Sequence, residues 1–267
     1  MLRPRERPQL FVFCYHKSGT QLFAKLLADL ARRFDLRMVR LLGLVEQVDP
    51  TADVALFSHS LLGFSLADVE YRGVRIVRDP RGIWTSGYWY HRRCTEHWCV
   101  NTDFDATAPI GFPQVPYSQA HRPEVWKREY LAGLDGRSYQ QNLLTRDLRE
   151  GLSFEEQRYA RWTADAMAQW RPDDRTIDVQ LETITRSFDA SMAAILRHLG
   201  FAGERLAEAL EIGRAHDIAR MSDEAVSRNP HITSRNISHW HECLPADMRH
   251  GFEQRHAALI ASLGYTV

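Results

Sequence analysis

An apolar run, Phe11-Val-Phe-Cys-Tyr15, stops at His16-Lys-Ser-Gly-Thr20, and an amphipathic helical pattern begins at once behind it. A strand that turns through glycine into a helix N-terminus presents converging backbone N–H groups and the positive end of the helix dipole, which suits an anion. The N–H groups of Ser18, Gly19 and Thr20 are expected to cradle a phosphate oxygen. Lys17 would add a point charge, and the hydroxyls of Ser18 and Thr20 would complete the cradle. The lysine precedes the glycine, whereas a Walker A loop, G-x-x-x-x-G-K-[ST], places it after, so an ordinary ATPase is disfavoured.

A second element has the same form. Val74-Arg-Ile-Val77 reads as a strand that reaches Arg78, Asp79-Pro80 turns the chain, and a helix is expected from about Arg81, with proline tolerated at its start. A guanidinium at such a strand end matches phosphate oxygens bidentately. Ser86, two turns into the helix, faces the same side as its beginning. Between these elements, Val54-Ala-Leu-Phe57 is a further strand, followed by Ser58-His59 at its carboxyl end, where α/β sheets place ligands. A histidine there has the right ionisation range for a general base.

The order of these motifs resembles the sulfotransferases that use 3′-phosphoadenosine-5′-phosphosulfate (PAPS). Lys17-Ser-Gly-Thr20 is similar to their 5′-phosphosulfate loop. Arg78 and Ser86, eight positions apart, are similar to their 3′-phosphate element. The resemblance implies an α/β, P-loop NTPase-like three-layer fold with a central parallel sheet flanked by helices. It implies PAPS as co-substrate, and His59 and Lys17 as the catalytic pair acting on a hydroxylated acceptor. Near the C-terminus, His231-Ile-Thr-Ser-Arg-Asn-Ile-Ser-His-Trp240 stands where the family closes a glycine-rich loop over the nucleotide. Aligned on Trp240, Arg235 replaces a glycine and Thr233 an arginine, so Ser234 and Arg235 are the candidate 3′-phosphate contacts here. His16 replaces a usual proline, Leu22 stands where many members have a tryptophan, and Phe57 replaces a lysine two residues before the base. A P-loop kinase using ATP, or a catalytically silent nucleotide-binding protein on the same fold, are the alternatives; Asp79 and Glu182 are weaker candidates for the base.

The 34 basic and 34 acidic residues cancel, so nothing suggests a nucleic-acid partner, and positive charge must be concentrated at a site. The charged N-terminal segment lacks an apolar signal region and the run behind it is too short to span a bilayer, so a cytoplasmic protein without a membrane span is expected. Four scattered cysteines are expected to be reduced. His91, Cys94, His97 and Cys99 have ligand chemistry but an interleaved order unlike a zinc site, and no metal is expected. Oligomeric state is open.

Strands are expected at Leu10–Tyr15, Val54–Phe57, Val74–Val77 and Thr176–Leu181, in one domain over residues 1–267. Helices are expected from Ser153, with Glu156 closing a capping box, and over Phe188–Leu199 and about Pro245–Leu263. Residues 92–150 read as a loop-rich insertion. Its aromatics, Trp98, Phe104, Phe112, Tyr117, Trp126, Tyr130 and Tyr139, are each expected to anchor the segment, which as a whole would help line an acceptor pocket.

Overall fold

The computed structural model describes residues 7–102, 111–116, 123–229, 231–232 and 234–267. The chain opens with β1 (Gln9–Phe13), α1 (Thr20–Phe34), β2 (Met38–Leu41), β3 (Leu44–Val45), β4 (Val54–Phe57), β5 (Leu61–Leu62) and β6 (Tyr71–Val77). The helices α2 (Pro80–His91), α3 (His97–Val100), α4 (Pro123–Ala132), α5 (Tyr139–Leu144), α6 (Leu148–Glu155) and α7 (Arg161–Ala168) follow. The chain then forms β7 (Thr176–Gln180), α8 (Leu181–Arg186), α9 (Phe188–His198) and α10 (Gly203–Arg214). It ends with α11 (Asp223–Ser227), α12 (Trp240–Cys243) and α13 (Ala246–Ser262). Two compact units result, Met1–Val77 with Arg171–Ser222, and Arg78–Trp170 with Asp223–Val267.

The first unit is built on a five-stranded sheet in the order β2-β4-β1-β6-β7. Every pairing in it is parallel. β1 and β4 are buried along almost their whole length, as unalternating apolar runs in a helix-covered parallel sheet must be. Phe11 and Phe13 lie two residues apart and so share one face, where Phe13 stacks on Phe57 at 4.7 Å and Phe11 on Tyr71 at 4.9 Å. The chain passes from β4 on one side of β1 to β6 on the other, so β1 is at the topological switch. All four expected strands are present. β2 escaped notice because it is a short edge strand, half-exposed and interrupted by Arg40.

The second unit is helical and centred on α2, almost all of which is buried. Trp84 donates its indole N–H to the carbonyl of Leu152 at 2.8 Å and stacks on Phe252 at 5.0 Å. The side chains of His91 and Tyr139 converge on one oxygen of buried Glu155, at 2.9 and 2.8 Å. Gly87 makes room for that carboxylate, since any Cβ there would overlap it.

Two expectations need correction. The capping box belongs to Asp147 and Glu150, so α6 begins before Ser153, which lies inside it and accepts a hydrogen bond from Gln157. Aspartate caps as well as serine does, and the earlier Asp-x-x-Glu box starts the helix a turn and a half sooner. Glu156 pairs instead with Arg255, and a π turn over Glu156–Ala160 carries the chain on into α7. Residues 92–150, read as irregular, hold α3, α4, α5 and the start of α6. Trp98, Phe112, Tyr130 and Tyr139 are buried there and Trp126 packs against them, so each anchors the segment; Phe104 and Tyr117 lie outside the described residues. Weak periodicity hid these helices because they are short and buried on several sides. Among the described residues, no helix is long and apolar enough to cross a membrane.

Candidate active site

β1 and β4 are in register, Phe13 beside Phe57, so the loops that follow them leave the same carboxyl edge at the same level. In the first, Lys17 has φ 59° and Gly19 φ 99°. Left-handed backbone at a lysine is uncommon and costs of the order of 1–3 kcal/mol, a strain that typically marks functional loops. At Gly19 an added Cβ would also lie 3.0 Å from Leu181, so only glycine fits the turn. Ser18 is fully buried: its hydroxyl accepts from the Tyr15 N–H at 2.7 Å and donates to the Tyr15 carbonyl at 3.0 Å. Thr20 donates its hydroxyl proton to the same carbonyl at 3.0 Å.

A hydroxyl has one proton to give. In this arrangement the protons of both Ser18 and Thr20 are directed at the Tyr15 carbonyl. The Ser18 N–H is also committed, to Tyr15 at 3.1 Å. The N–H groups of Gly19, Thr20, Gln21 and Leu22 have no acceptor among the described residues, as the first donors of a helix do not. Behind the loop, burial pushes the Cys14 thiol and the Tyr15 phenol each up to about 12, so both stay protonated at neutral pH. The Tyr15 hydroxyl interacts with Arg75, which is held bidentately by Asp178.

The second loop carries His59. The backbone N–H of Gly43 donates to its Nδ1 at 3.2 Å. Ser60, at φ 52°, donates its hydroxyl to the Cys14 carbonyl at 2.7 Å, which ties this loop to the first. Arg40, on β2, donates from Nε to the Ser58 hydroxyl at 3.2 Å, bringing a guanidinium beside the residue before His59. Arg40, Gly43 and Ser60 carry no motif, and only the sheet pairing shows what they do.

In the second unit, Arg78 follows directly on β6, is 8% exposed, and donates from Nη2 to the Ile237 carbonyl at 3.3 Å. The segment expected to close over a nucleotide is thus fastened to the arginine expected to read its 3′-phosphate. Ser86 is buried on α2. Arg93 donates to the Ile232 carbonyl at 2.7 Å and His231 stacks on Tyr90 at 5.0 Å, which fastens the same segment at its other end. Ser234 accepts from the Asn236 N–H at 3.0 Å, and Arg235 pairs with exposed Asp223 at 2.9 Å. Thr233 and Pro230 lie outside the described residues.

Asp79 caps α2 and is gripped by Arg81, which also reaches Glu253 at 2.6 Å and the Thr266 carbonyl at 2.8 Å, and lies over Trp240 at 4.2 Å. With both its oxygens engaged, Asp79 serves the fold. His91, Cys94 and Cys99 are buried, and among the described residues no group of three or more His, Cys, Asp or Glu is placed to hold a metal.

The structure of the mouse sulfotransferase SULT7A1 complexed with PAP superposes on 97% of this chain and 85% of its own, with a TM-score of 0.50 and 18% identity. The fold is that of a sulfotransferase. Retinol dehydratase in complex with androsterone and inactive cofactor PAP superposes on 98% of this chain and 84% of its own, at a TM-score of 0.48 and 14% identity. No family model matches the sequence, and no curated protein does. On this sulfotransferase fold, Lys17, Gly19, Thr20 and His59 share one edge of the sheet in the first unit. Arg78 and the 231–240 segment adjoin each other in the second.

Proposed function

We propose that the protein transfers the sulfuryl group of PAPS to a hydroxyl of an acceptor molecule. The observation that carries this reading is the loop after β1: a left-handed Lys17 and Gly19 present a row of uncommitted N–H groups, on a fold shared with a PAP-bound sulfotransferase. In this reading the N–H groups of Gly19 and Thr20, with the Lys17 ammonium, hold the 5′-phosphosulfate. Ser18 keeps the loop in shape through Tyr15. Arg78 and Ser86 bind the 3′-phosphate, with Ser234 and Arg235 joining them from the neighbouring segment.

His59 accepts the acceptor's hydroxyl proton as the oxygen attacks sulfur. The bond from sulfur to the bridging phosphate oxygen breaks, giving a sulfate ester and adenosine 3′,5′-bisphosphate. Such group transfers pass through loose transition states, so positioning and charge stabilisation supply most of the rate. Lys17 and the loop N–H groups stabilise the charge that grows on the leaving phosphate.

Thermal denaturation with added nucleotides tests the reading. A ligand that binds only the native state raises its stability by mass action. Adenosine 3′,5′-bisphosphate is expected to raise the melting temperature, AMP and ATP to do little, and Arg78→Ala to abolish the difference. Equal stabilisation by ATP would favour a kinase and end this proposal.

A further inference from the structure

Arg146, Arg149 and Arg158 line one cavity of about 670 Å³ in the second unit, more than fifty positions along the chain from Lys17, His59, Arg78 and Ser86. Arg149 is paired with Asp247, and the one acidic residue of the lining, Glu150, is committed to its capping box. The other two guanidiniums have only neutral acceptors among the described residues. Arg146 donates to the carbonyl and side-chain oxygens of Asn142, and Arg158 to the carbonyls of Gly133, at 2.9 Å, and Phe154, at 3.5 Å. Both pack on the same ring, Phe154, with their central carbons 4.6 and 3.8 Å from its centroid. Burial pushes the Arg158 guanidinium below its usual range, and Arg146 adds to this against the opposing influence of Tyr139 and Glu155.

Arginines often satisfy carbonyls near helix ends, and that role accounts for part of each fork. A guanidinium has five donors, however, and fastening two of them to one ring leaves donors of each fork for a ligand; Glu155 acts on Arg158 through its charge but does not hydrogen-bond to it. The rest of the lining suits an anion as well. Gln157 donates to the Ser153 hydroxyl at 3.1 Å, which leaves the Ser153 proton available to a ligand. Phe154 and Met248 give an apolar wall.

We propose that this cavity is a binding site for a doubly charged oxyanion, the phosphate or sulfate monoester group of a ligand. Arg146 and Arg158 are its main contacts, Arg149 flanks it, and the apolar wall receives the body of the molecule. Two guanidiniums hydrogen-bonded only to neutral acceptors attract an oxyanion, and planar guanidinium forks match its oxygens in geometry. The site is independent of the nucleotide loops and stands whether or not the protein is a sulfotransferase.

Equilibrium dialysis at constant ionic strength, with radiolabelled inorganic sulfate in one arm and inorganic phosphate in the other, tests it. The same measurement on Lys17→Ala, which removes the cation of the proposed phosphosulfate loop, separates this cavity from any nucleotide site. Saturable binding is expected, weakened about tenfold or more in the double variant Arg146→Gln, Arg158→Gln. Gln157→Glu, which adds a negative charge to the wall without removing either arginine anchor, is expected to weaken it likewise and serves if the double variant fails to fold. The arm that binds more tightly identifies the ester. Absence of saturable binding, loss of it in Lys17→Ala, or affinity unchanged by Gln157→Glu would overturn the proposal.

Discussion

The Gly43 N–H donates to Nδ1 of His59 at 3.2 Å, so the neutral imidazole in this arrangement carries its proton on Nε2. A ring in that state has no lone pair on Nε2 to accept a proton, and the Nδ1 lone pair is engaged. Action as a base therefore requires Gly43 to release Nδ1, or the ring to turn, when the acceptor binds. Nitrogen NMR of the free protein is expected to show the Nε2–H tautomer with Nδ1 hydrogen-bonded, and the acceptor complex to show Nδ1 released from Gly43. His59→Ala should lower turnover by roughly 10²–10⁴, the usual contribution of a general base, while adenosine 3′,5′-bisphosphate affinity changes little. A turnover loss under about tenfold would assign the base elsewhere.

Arg81 holds the start of α2 to the C-terminal part of the chain. Asp79 and Arg81 are each 6% exposed at their side chains and Glu253 14%, so removing the cation strips its guanidinium from two poorly solvated carboxylates, of which Glu253 keeps only the longer pair with Arg249 at 3.9 Å. Arg81→Met is expected to cost about 3–5 kcal/mol of stability, read from urea unfolding. A loss below about 1 kcal/mol would show the network to be solvated.

Arg235 and Asp223 form an ion pair whose acidic partner is fully exposed, so the pair itself contributes at most about 1 kcal/mol. If Arg235 leaves Asp223 for a 3′-phosphate, Arg235→Ala should weaken adenosine 3′,5′-bisphosphate by about 1.5–3 kcal/mol, the scale of a charged hydrogen bond. Adenosine-5′-phosphosulfate, which lacks that phosphate, should lose much less. Asp223→Ala should tighten the bisphosphate slightly. Calorimetric titration of the three ligand–variant pairs decides it, and equal losses for both ligands would remove Arg235 from the 3′ side.

Alkaline stability reports on the buried base of the first loop. Burial raises the Cys14 thiol from 9.0 to about 12 in the folded chain, so between those values the unfolded chain has lost a proton that the folded chain keeps. The unfolded state then binds fewer protons, and stability, intact below about pH 9, must fall as pH rises towards 12. Tyr15, raised from 10.0 to about 12, acts in the same direction. Urea midpoints measured across this range should fall less steeply in Cys14→Ala than in the parent protein; parallel slopes would mean that the thiol is solvated.

The sequence by itself determined four of the five strands of the sheet and the turns that follow β1 and β6. Central parallel strands are buried on both faces, and so they read as unbroken apolar runs. The turn at Gly19 and the Asp79-Pro80 helix start are local backbone chemistry, legible from a few adjacent residues. Only the tertiary structure decided how the site is equipped. The protons of Ser18 and Thr20 go to Tyr15, Gly43 sets the state of His59, Ser60 ties one loop to the other, and Arg235 rests on Asp223. Hydrogen-bond partners such as Gly43 and His59, or Ser60 and Cys14, are brought together by strand register, and nothing in the spacing of a single chain records that register. The short helices within 92–150 were hidden for a related reason: a segment buried on several sides has no polar face to give it a period.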